Sequence, residues 1–263
     1  MIAVLSATEN DLYAYPLPIV VWSWYKLGIK CIVFTPEIIG AKIELAKKTC
    51  GDRATFYTFS CEERKEATYC QTSRLFGATV CEDENEILIT GDADLAVFGN
   101  EFDYFKDGEV RVIGADLLSE EMNQFPMCFI GMPVSEWKHI FCLDGDTLQS
   151  ALDDTVGLLE SSTFRGDFWG YDQWLAHQSI TKNVRGQIFK NSRAKFPERF
   201  ATRRLDRDDS FLMERDVTDV IDFHLPRPGY EHFDKILTIL LKIYPQEDFT
   251  WLETFNSEYK KLL

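Results

Sequence analysis

The sequence is short of basic residues, short of histidine, and lacks any long apolar run. Its 263 residues carry 28 Lys and Arg against 43 Asp and Glu, a formal charge of −15. That acidity excludes a protein that grips nucleic acid through its phosphates, where lysine and arginine contacts dominate. The longest uncharged apolar stretch, Leu12 to Tyr25, contains Pro16 and Pro18. It falls short of the roughly 20 residues that a membrane-spanning helix needs, so no transmembrane segment is expected. No basic segment precedes an apolar run at the N-terminus, so a signal peptide is not expected either. The seven cysteines lack the paired spacing of a zinc ribbon. Cys31 and Cys128 lie inside apolar runs and read as reduced core thiols. A cytoplasmic, reducing location is the expectation that follows. No internal repeat, linker or low-complexity tract is present.

What the chain does have is aromatic mass: 20 Phe, 10 Tyr and 6 Trp, enough for a dense core or for stacking surfaces. Its first half alternates strand and helix patterns. Strands are expected at 2–6, 30–34, 54–59 and 86–90. Between them, a helix from Pro18 to Leu27 stops at Gly28, a second is opened by Pro36 and closed by Gly51, and a third covers about Glu62 to Phe76. This alternation predicts an α/β fold with a mostly parallel sheet flanked by helices, its ligand site at the strands' C-terminal ends. The second half is less regular, with short strands expected near 110–113, 127–130 and 139–143. Helices are expected near 146–160 and 170–179, and two more from about Tyr230. The ending Tyr259-Lys260-Lys261-Leu262-Leu263 carries no helix stop signal, which reads as a part excised from a longer polypeptide.

Chemistry concentrates in Ile87-Leu88-Ile89-Thr90-Gly91-Asp92-Ala93-Asp94-Leu95-Ala96-Val97-Phe98. Two carboxylates sit between two apolar segments, at the expected C-terminal edge of a parallel strand. In extended backbone, residues i and i+2 point the same way about 7 Å apart, and like charges there repel unless a cation or hydrogen-bond donors answer them. An oxygen-loving divalent ion, Mn²⁺ or Mg²⁺, would do so and would present a positive face to a diphosphate. The plainer alternative is a solvated surface turn. A rival triplet, Asp144-Gly145-Asp146-Thr147, reads as a helix N-terminus, with Asp146 and Thr147 as cap residues.

Ser6-Ala7-Thr8 after the first strand, Asp92-Ala93-Asp94, Gly170-Tyr171-Asp172-Gln173 and His224-Leu225-Pro226-Arg227-Pro228-Gly229 occur in that order. Together they resemble the GT-A class of nucleotide-sugar glycosyltransferases, and within it the glycogenin-like and galactinol-synthase-like group. That group's His-x-x-Gly-x-x-Lys-Pro-Trp ending is absent. The resemblance implies a Rossmann-type fold in one domain over 1–263, with a nucleotide-binding half at about 1–100, an acceptor-side half at about 101–229 and C-terminal helices over 230–263.

It also implies roles. Asp92 touches the ribose or donor sugar, and Asp92, Asp94 and a late histidine, His224, hold Mn²⁺ or Mg²⁺, with Asp222 a second carboxylate nearby. Ser6, Ala7, Thr8 and Asn10 hold the base and ribose, beside Ala93. Arg74 and Arg227 reach the donor, since a planar guanidinium grips phosphate or sugar oxygens in pairs. In the aromatic and glycine-rich segment Arg165 to Trp174, Asp172 is the acceptor-side residue. It is a general base if the enzyme inverts; Asp172 or Gln173 positions the donor if it retains. Asp116, Glu120, Trp137 and Lys138 are candidates for the acceptor cleft, whereas His139, His177 and His232 read as ordinary structural residues.

The expected activity is metal-dependent hexosyl transfer from a nucleotide sugar, a UDP-hexose, to a carbohydrate acceptor. Two other classes stay open: a sugar-1-phosphate nucleotidyltransferase, and a noncatalytic glycan- or partner-binding module on the same fold. Against the first, Ser6-Ala7-Thr8-Glu9-Asn10 is neither glycine-rich nor basic.

Overall fold

The computed structural model describes residues 1–99, 101–115, 122–161, 170–191, 204–207, 212–214 and 216–263. Asp116, Glu120 and the segment 165–169 lie outside the described residues. The chain runs β1 (Ile2–Ser6), α1 (Asp11–Ala14), α2 (Leu17–Lys26), β2 (Lys30–Pro36), α3 (Ala41–Cys50), β3 (Ala54–Phe59) and α4 (Glu66–Ser73). It continues through β4 (Ile87–Thr90), β5 (Leu95–Val97), β6 (Val110–Ile113), β7 (Ile130–Pro133), α5 (Val134–Phe141) and α6 (Leu148–Ser161). The last elements are α7 (Tyr171–Asn183), β8 (Ile188–Asn191), β9 (Arg204–Leu205), β10 (Asp222–His224), α8 (Phe233–Ile243) and α9 (Thr250–Lys260).

Seven strands form the central sheet in the order β3-β2-β1-β4-β7-β6-β8. β1 pairs in parallel with β2 and β4, β2 with β3, and β6 with β8. β7 runs antiparallel to both its neighbours, so the sheet is mostly parallel, as expected. The apolar runs that announce β1, β2 and β4 follow from burial on both faces. Ala3, Leu5, Cys31, Val33, Ile87 and Ile89 enter one core layer, while Val4, Ile32, Phe34 and Leu88 enter the other. From β1 the chain winds outward to β2 and β3, then returns to place β4 on the other side of β1. Such a reversal opens a crevice at the C-terminal ends of the two strands. Here those ends are Ser6 and Thr90.

Several boundaries differ from the sequence expectation, each for a local reason. Pro36 ends β2 rather than opening a helix. α3 starts at Ala41, where the Glu9 carboxylate accepts hydrogen bonds from the backbone N–H groups of Gly40 (3.2 Å), Lys42 (2.8 Å) and Ile43 (3.1 Å). A Cβ on Gly40 would lie 2.5 Å from that carboxyl, so a side chain there would displace the Glu9 carboxylate from the helix N-terminus. Glu9→Ala removes an anion from a helix N-terminus and leaves those donors without it. An expected loss of about 1–2 kcal/mol is measurable by urea unfolding; an unchanged midpoint would show that water serves them equally well.

The run 139–143 is not a strand. Val134, Trp137 and Ile140 are buried at helical spacing on α5, which ends at Cys142 in the left-handed region (φ 55). The strand expected at 127–130 lies at Ile130–Pro133. Thr147 caps α6 as its triplet suggested, its Oγ1 accepting from the Ser150 N–H (3.1 Å). All seven cysteines are free thiols, and burial pushes Cys50 up to about 12. Among the described residues, no helix is long and apolar enough to cross a membrane.

Candidate active site

A second, three-stranded sheet in the order β5-β10-β9 assembles the site. β10 runs antiparallel to β5, with His224 opposite Leu95 and Asp222 opposite Val97. The Leu225 N–H donates to the carbonyl of Asp94 (2.9 Å). β9 adds in parallel, setting Arg204 opposite Asp222. This backbone register brings His224 and the arginines of the β9 segment onto the acidic pair that follows β4. Gly91, just before that pair, packs so closely that a Cβ would meet Leu5 Cδ2 at 2.7 Å. Asp92 is thereby seated at the mouth of the crevice.

Arg74 organises the floor. Its Nη1 donates to the Gly91 carbonyl (3.1 Å) and to Asp92 Oδ1 (2.5 Å), and its Nη2 to Asp172 Oδ2 (2.6 Å). Burial opposes the Arg74 charge, but Asp172 and Asp92 outweigh it and hold the guanidinium firmly protonated. Burial alone would raise the Asp92 pKa; Arg74 more than offsets this and keeps it below the ordinary carboxylate range. Asp172 is buried more deeply, so burial wins and its pKa is raised in spite of Arg74. Its other oxygen, Oδ1, accepts from the Gln173 N–H (2.9 Å). Both carboxylate oxygens are therefore engaged within the protein.

Asp94, only 2% exposed, is the meeting point of the opposite wall. Its Oδ2 accepts from Arg207 Nη1 (2.7 Å) and Arg227 Nη2 (2.6 Å), with His224 Nε2 at 3.2 Å. Burial pushes His224 down to about 4, leaving a neutral imidazole. The Arg227 guanidinium lies over the Tyr13 ring, 5.1 Å from its centroid. These groups line a cleft of about 720 Å³, together with Ser6, Thr8, Asn10, Ala93 and Gln173. All the donor-side, catalytic and metal candidates read from the sequence thus meet in one cavity, although Ala7 does not line it. The Thr8 and Asn10 side chains also shape their own loop, accepting from the N–H groups of Asn10 (3.3 Å) and Leu12 (2.9 Å).

Three expectations are corrected. Trp137 is buried, its Nε1 donating to the Leu88 carbonyl (3.2 Å). Lys138 pairs with Glu84 and faces a separate hollow with His139 and Cys142. Neither lines the cleft. Asp222 is fully buried, with Arg204 Nε 3.3 Å away, and does not line the cavity. Arg74, Arg204, Arg207 and Arg227 line the same cleft as Asp92, Asp94 and Asp172, so guanidiniums of the chain itself lie among the acidic side chains. Arg204, Arg207 and Tyr13 went unrecognised in the sequence. The one signal for the arginines was the cluster Arg203-Arg204-Leu205-Asp206-Arg207 in a chain otherwise poor in basic residues.

The fold is shared with solved structures. A crystal structure of an active-site mutant of the galactosyltransferase LgtC superposes with a TM-score of 0.53 over 85% of this chain and 86% of that one, at 13% identity. The fold is GT-A. The glycosyltransferase GlyE of Streptococcus pneumoniae gives a TM-score of 0.50 at 12% identity, covering 99% of this chain and 63% of GlyE. WbbM, a bifunctional glycosyltransferase, gives 0.52 at 11% identity, over 98% of this chain and 51% of WbbM. No protein-family model matches the sequence. No curated protein matches it either. The GT-A fold expected from the short motifs is thus present without close sequence kinship.

Proposed function

We propose that this chain is a glycosyltransferase that moves a hexose from a nucleotide sugar, a UDP-hexose, to a carbohydrate acceptor. The observation that carries the reading is the convergence of Asp92, Asp94, Arg74, His224 and Arg227 in one cleft at the sheet's reversal point. In the reaction a bond forms from an acceptor hydroxyl oxygen to the anomeric carbon. The bond from that carbon to the phosphate oxygen breaks, its electron pair leaving with the nucleoside diphosphate, and the hydroxyl proton passes to a phosphate oxygen of the departing diphosphate or to water.

Negative charge therefore grows on the leaving diphosphate, and preorganised cations at that spot lower the barrier. Arg204, Arg207 and Arg227 are the groups of this chain that supply them. Tyr13 offers a flat face beside Arg227 for the base or sugar. Asp172, with both oxygens engaged, acts as a positioning residue for Arg74 rather than as a base on the acceptor; Gln173 is the neighbouring side chain that lines the cleft.

The residue types also suit Mn²⁺ or Mg²⁺. Asp94 Oδ2 and His224 Nε2 lie 3.2 Å apart, close to the spacing of adjacent ligands at about 2.1 Å from one ion. Among the described residues no three His, Cys, Asp or Glu side chains already enclose such a point, and Asp92 is held on Arg74. Asp94 and His224 would hold the ion, with Asp92 at the donor sugar or as a third ligand. When bound, the ion would supply Lewis-acid stabilisation of the leaving diphosphate.

Thermal melting against nucleoside diphosphates and nucleotide sugars, each with and without Mn²⁺, tests the reading. A ligand at a hundredfold excess over its Kd stabilises the native state by about 2.7 kcal/mol, so a rise of several degrees is expected with UDP or a UDP-hexose plus Mn²⁺. No shift with any nucleotide under either condition would sink the assignment, and stabilisation by a glycan alone would replace it with a binding module.

A further inference from the structure

Arg207 enters the cleft from the segment just after β9, and its guanidinium is wedged between the two best metal-ligand candidates. Nη1 donates to Asp94 Oδ2 (2.7 Å). Nη2 lies 3.1 Å from His224 Nδ1 and in still closer contact with Nε2. Because Asp94 Oδ2 and His224 Nε2 are themselves only 3.2 Å apart, an ion held by both needs the space that this guanidinium fills. We propose that Arg207 is a tethered cation that occupies the divalent-ion position beside Asp94 and His224 and yields it only when metal and nucleoside diphosphate arrive together. The inference rests on the nucleotide-sugar reading of the cleft.

The charges explain the coupling. If metal alone displaces Arg207, the guanidinium loses the Asp94 carboxylate and moves among the cations of Arg204 and Arg227, which line the same cleft. With a diphosphate present, its oxygens become the new partners of the released arginine, and a guanidinium pairs well with phosphate. Each ligand therefore assists the other by the same factor, as linkage requires; such couplings usually lie at about 5–150-fold. Meanwhile Arg207 keeps Asp94 and His224 together, so the site is preformed before loading.

The test is titration of the protein with Mn²⁺ alone and again with saturating UDP, free Mn²⁺ being followed by electron paramagnetic resonance. Wild type is expected to bind Mn²⁺ about 10–100-fold more tightly with UDP. Arg207→Met keeps the aliphatic bulk and removes the competitor. Its affinity for Mn²⁺ alone should rise about tenfold or more, and the enhancement by UDP should shrink by a similar factor. Arg207→Lys, still cationic, should stay closer to wild type, and melting curves check that both variants fold. If Arg207→Met binds Mn²⁺ alone no better than wild type, the proposal is overturned. It is also overturned if UDP binds both proteins without any Mn²⁺ uptake, an outcome that leaves the nucleotide-sugar reading intact. Failure of both proteins to bind UDP would remove that reading itself, and the inference with it.

Discussion

Asp94→Asn is expected to lower nucleotide-sugar turnover by about a hundred- to a thousandfold, the loss typical when one preorganised electrostatic partner is removed from a transition state. The substitution keeps the side chain's size and a hydrogen-bond acceptor but removes the charge on which Arg207, Arg227 and His224 converge. It also predicts an effect of opposite sign. Two guanidiniums that had shared a carboxylate are left facing the cleft without one, so UDP in a metal-free buffer should bind more tightly to the variant than to wild type. Transfer of labelled sugar and calorimetry with UDP in EDTA measure the two quantities separately. Full activity in Asp94→Asn would dismiss the acidic pair from the chemistry. Weaker metal-free binding would show that Asp94 orders the arginines more than it opposes the ligand.

Arg74→Met carries the largest expected cost in stability. The Arg74 side chain is 10% exposed and that of Asp172 only 2%, so the substitution leaves a buried carboxylate without its cation. Breaking such a pair costs about 3–5 kcal/mol. Asp92, a third exposed, regains water and adds little, which favours the lower end. With about 2–4 °C per kcal/mol for a chain near this size, the melting temperature should fall by about 6–12 °C. The deficit should shrink at acid pH: Asp172 already has a raised pKa, losing Arg74 raises it further, and the protonated, neutral carboxyl costs less to bury. Adding Asp172→Asn to Arg74→Met should return part of the loss, and the double-mutant cycle isolates the pair. A single variant that melts with wild type would assign the pair no structural role.

Strands β1, β2 and β4 were legible because each is buried on both faces and reads as a largely apolar run, whereas the edge strand β3 is mostly half-buried or exposed and was read from its β-branched and aromatic residues. The acidic pair was legible for the related reason that charge directly after such a run has to be answered by something. Arg74 could be placed because it lies on the helical segment just before β4. By contrast, β9 and β10 are two and three residues long, too short for any periodicity. β10 is placed by its pairing with β5 and β9 by its pairing with β10, which no local pattern encodes, so Arg204 and Arg207 could not be assigned to the site. The misread of 139–143 has the same origin. Five mostly apolar residues fit a strand as well as the last turn of a helix, and only the burial of Val134 and Trp137 at helical spacing separates the two. The acceptor side was less legible: Asp172 and Gln173 line the cleft, but Asp116 and Glu120 fall outside the described residues and Trp137 and Lys138 pack elsewhere.

The partners Asp94 and Arg207 stand 113 residues apart in the chain, and the backbone pairing of β5 with β10 spans a similar interval. During synthesis, the ribosome therefore releases the acidic pair long before it releases any group that neutralises Asp94. At roughly 5–20 residues per second, that interval lasts on the order of ten seconds. Throughout it, Asp94 lacks its arginine partners while Asp92 already has Arg74 upstream, and the charge of Asp94 is balanced only once Arg207 and Arg227 have emerged.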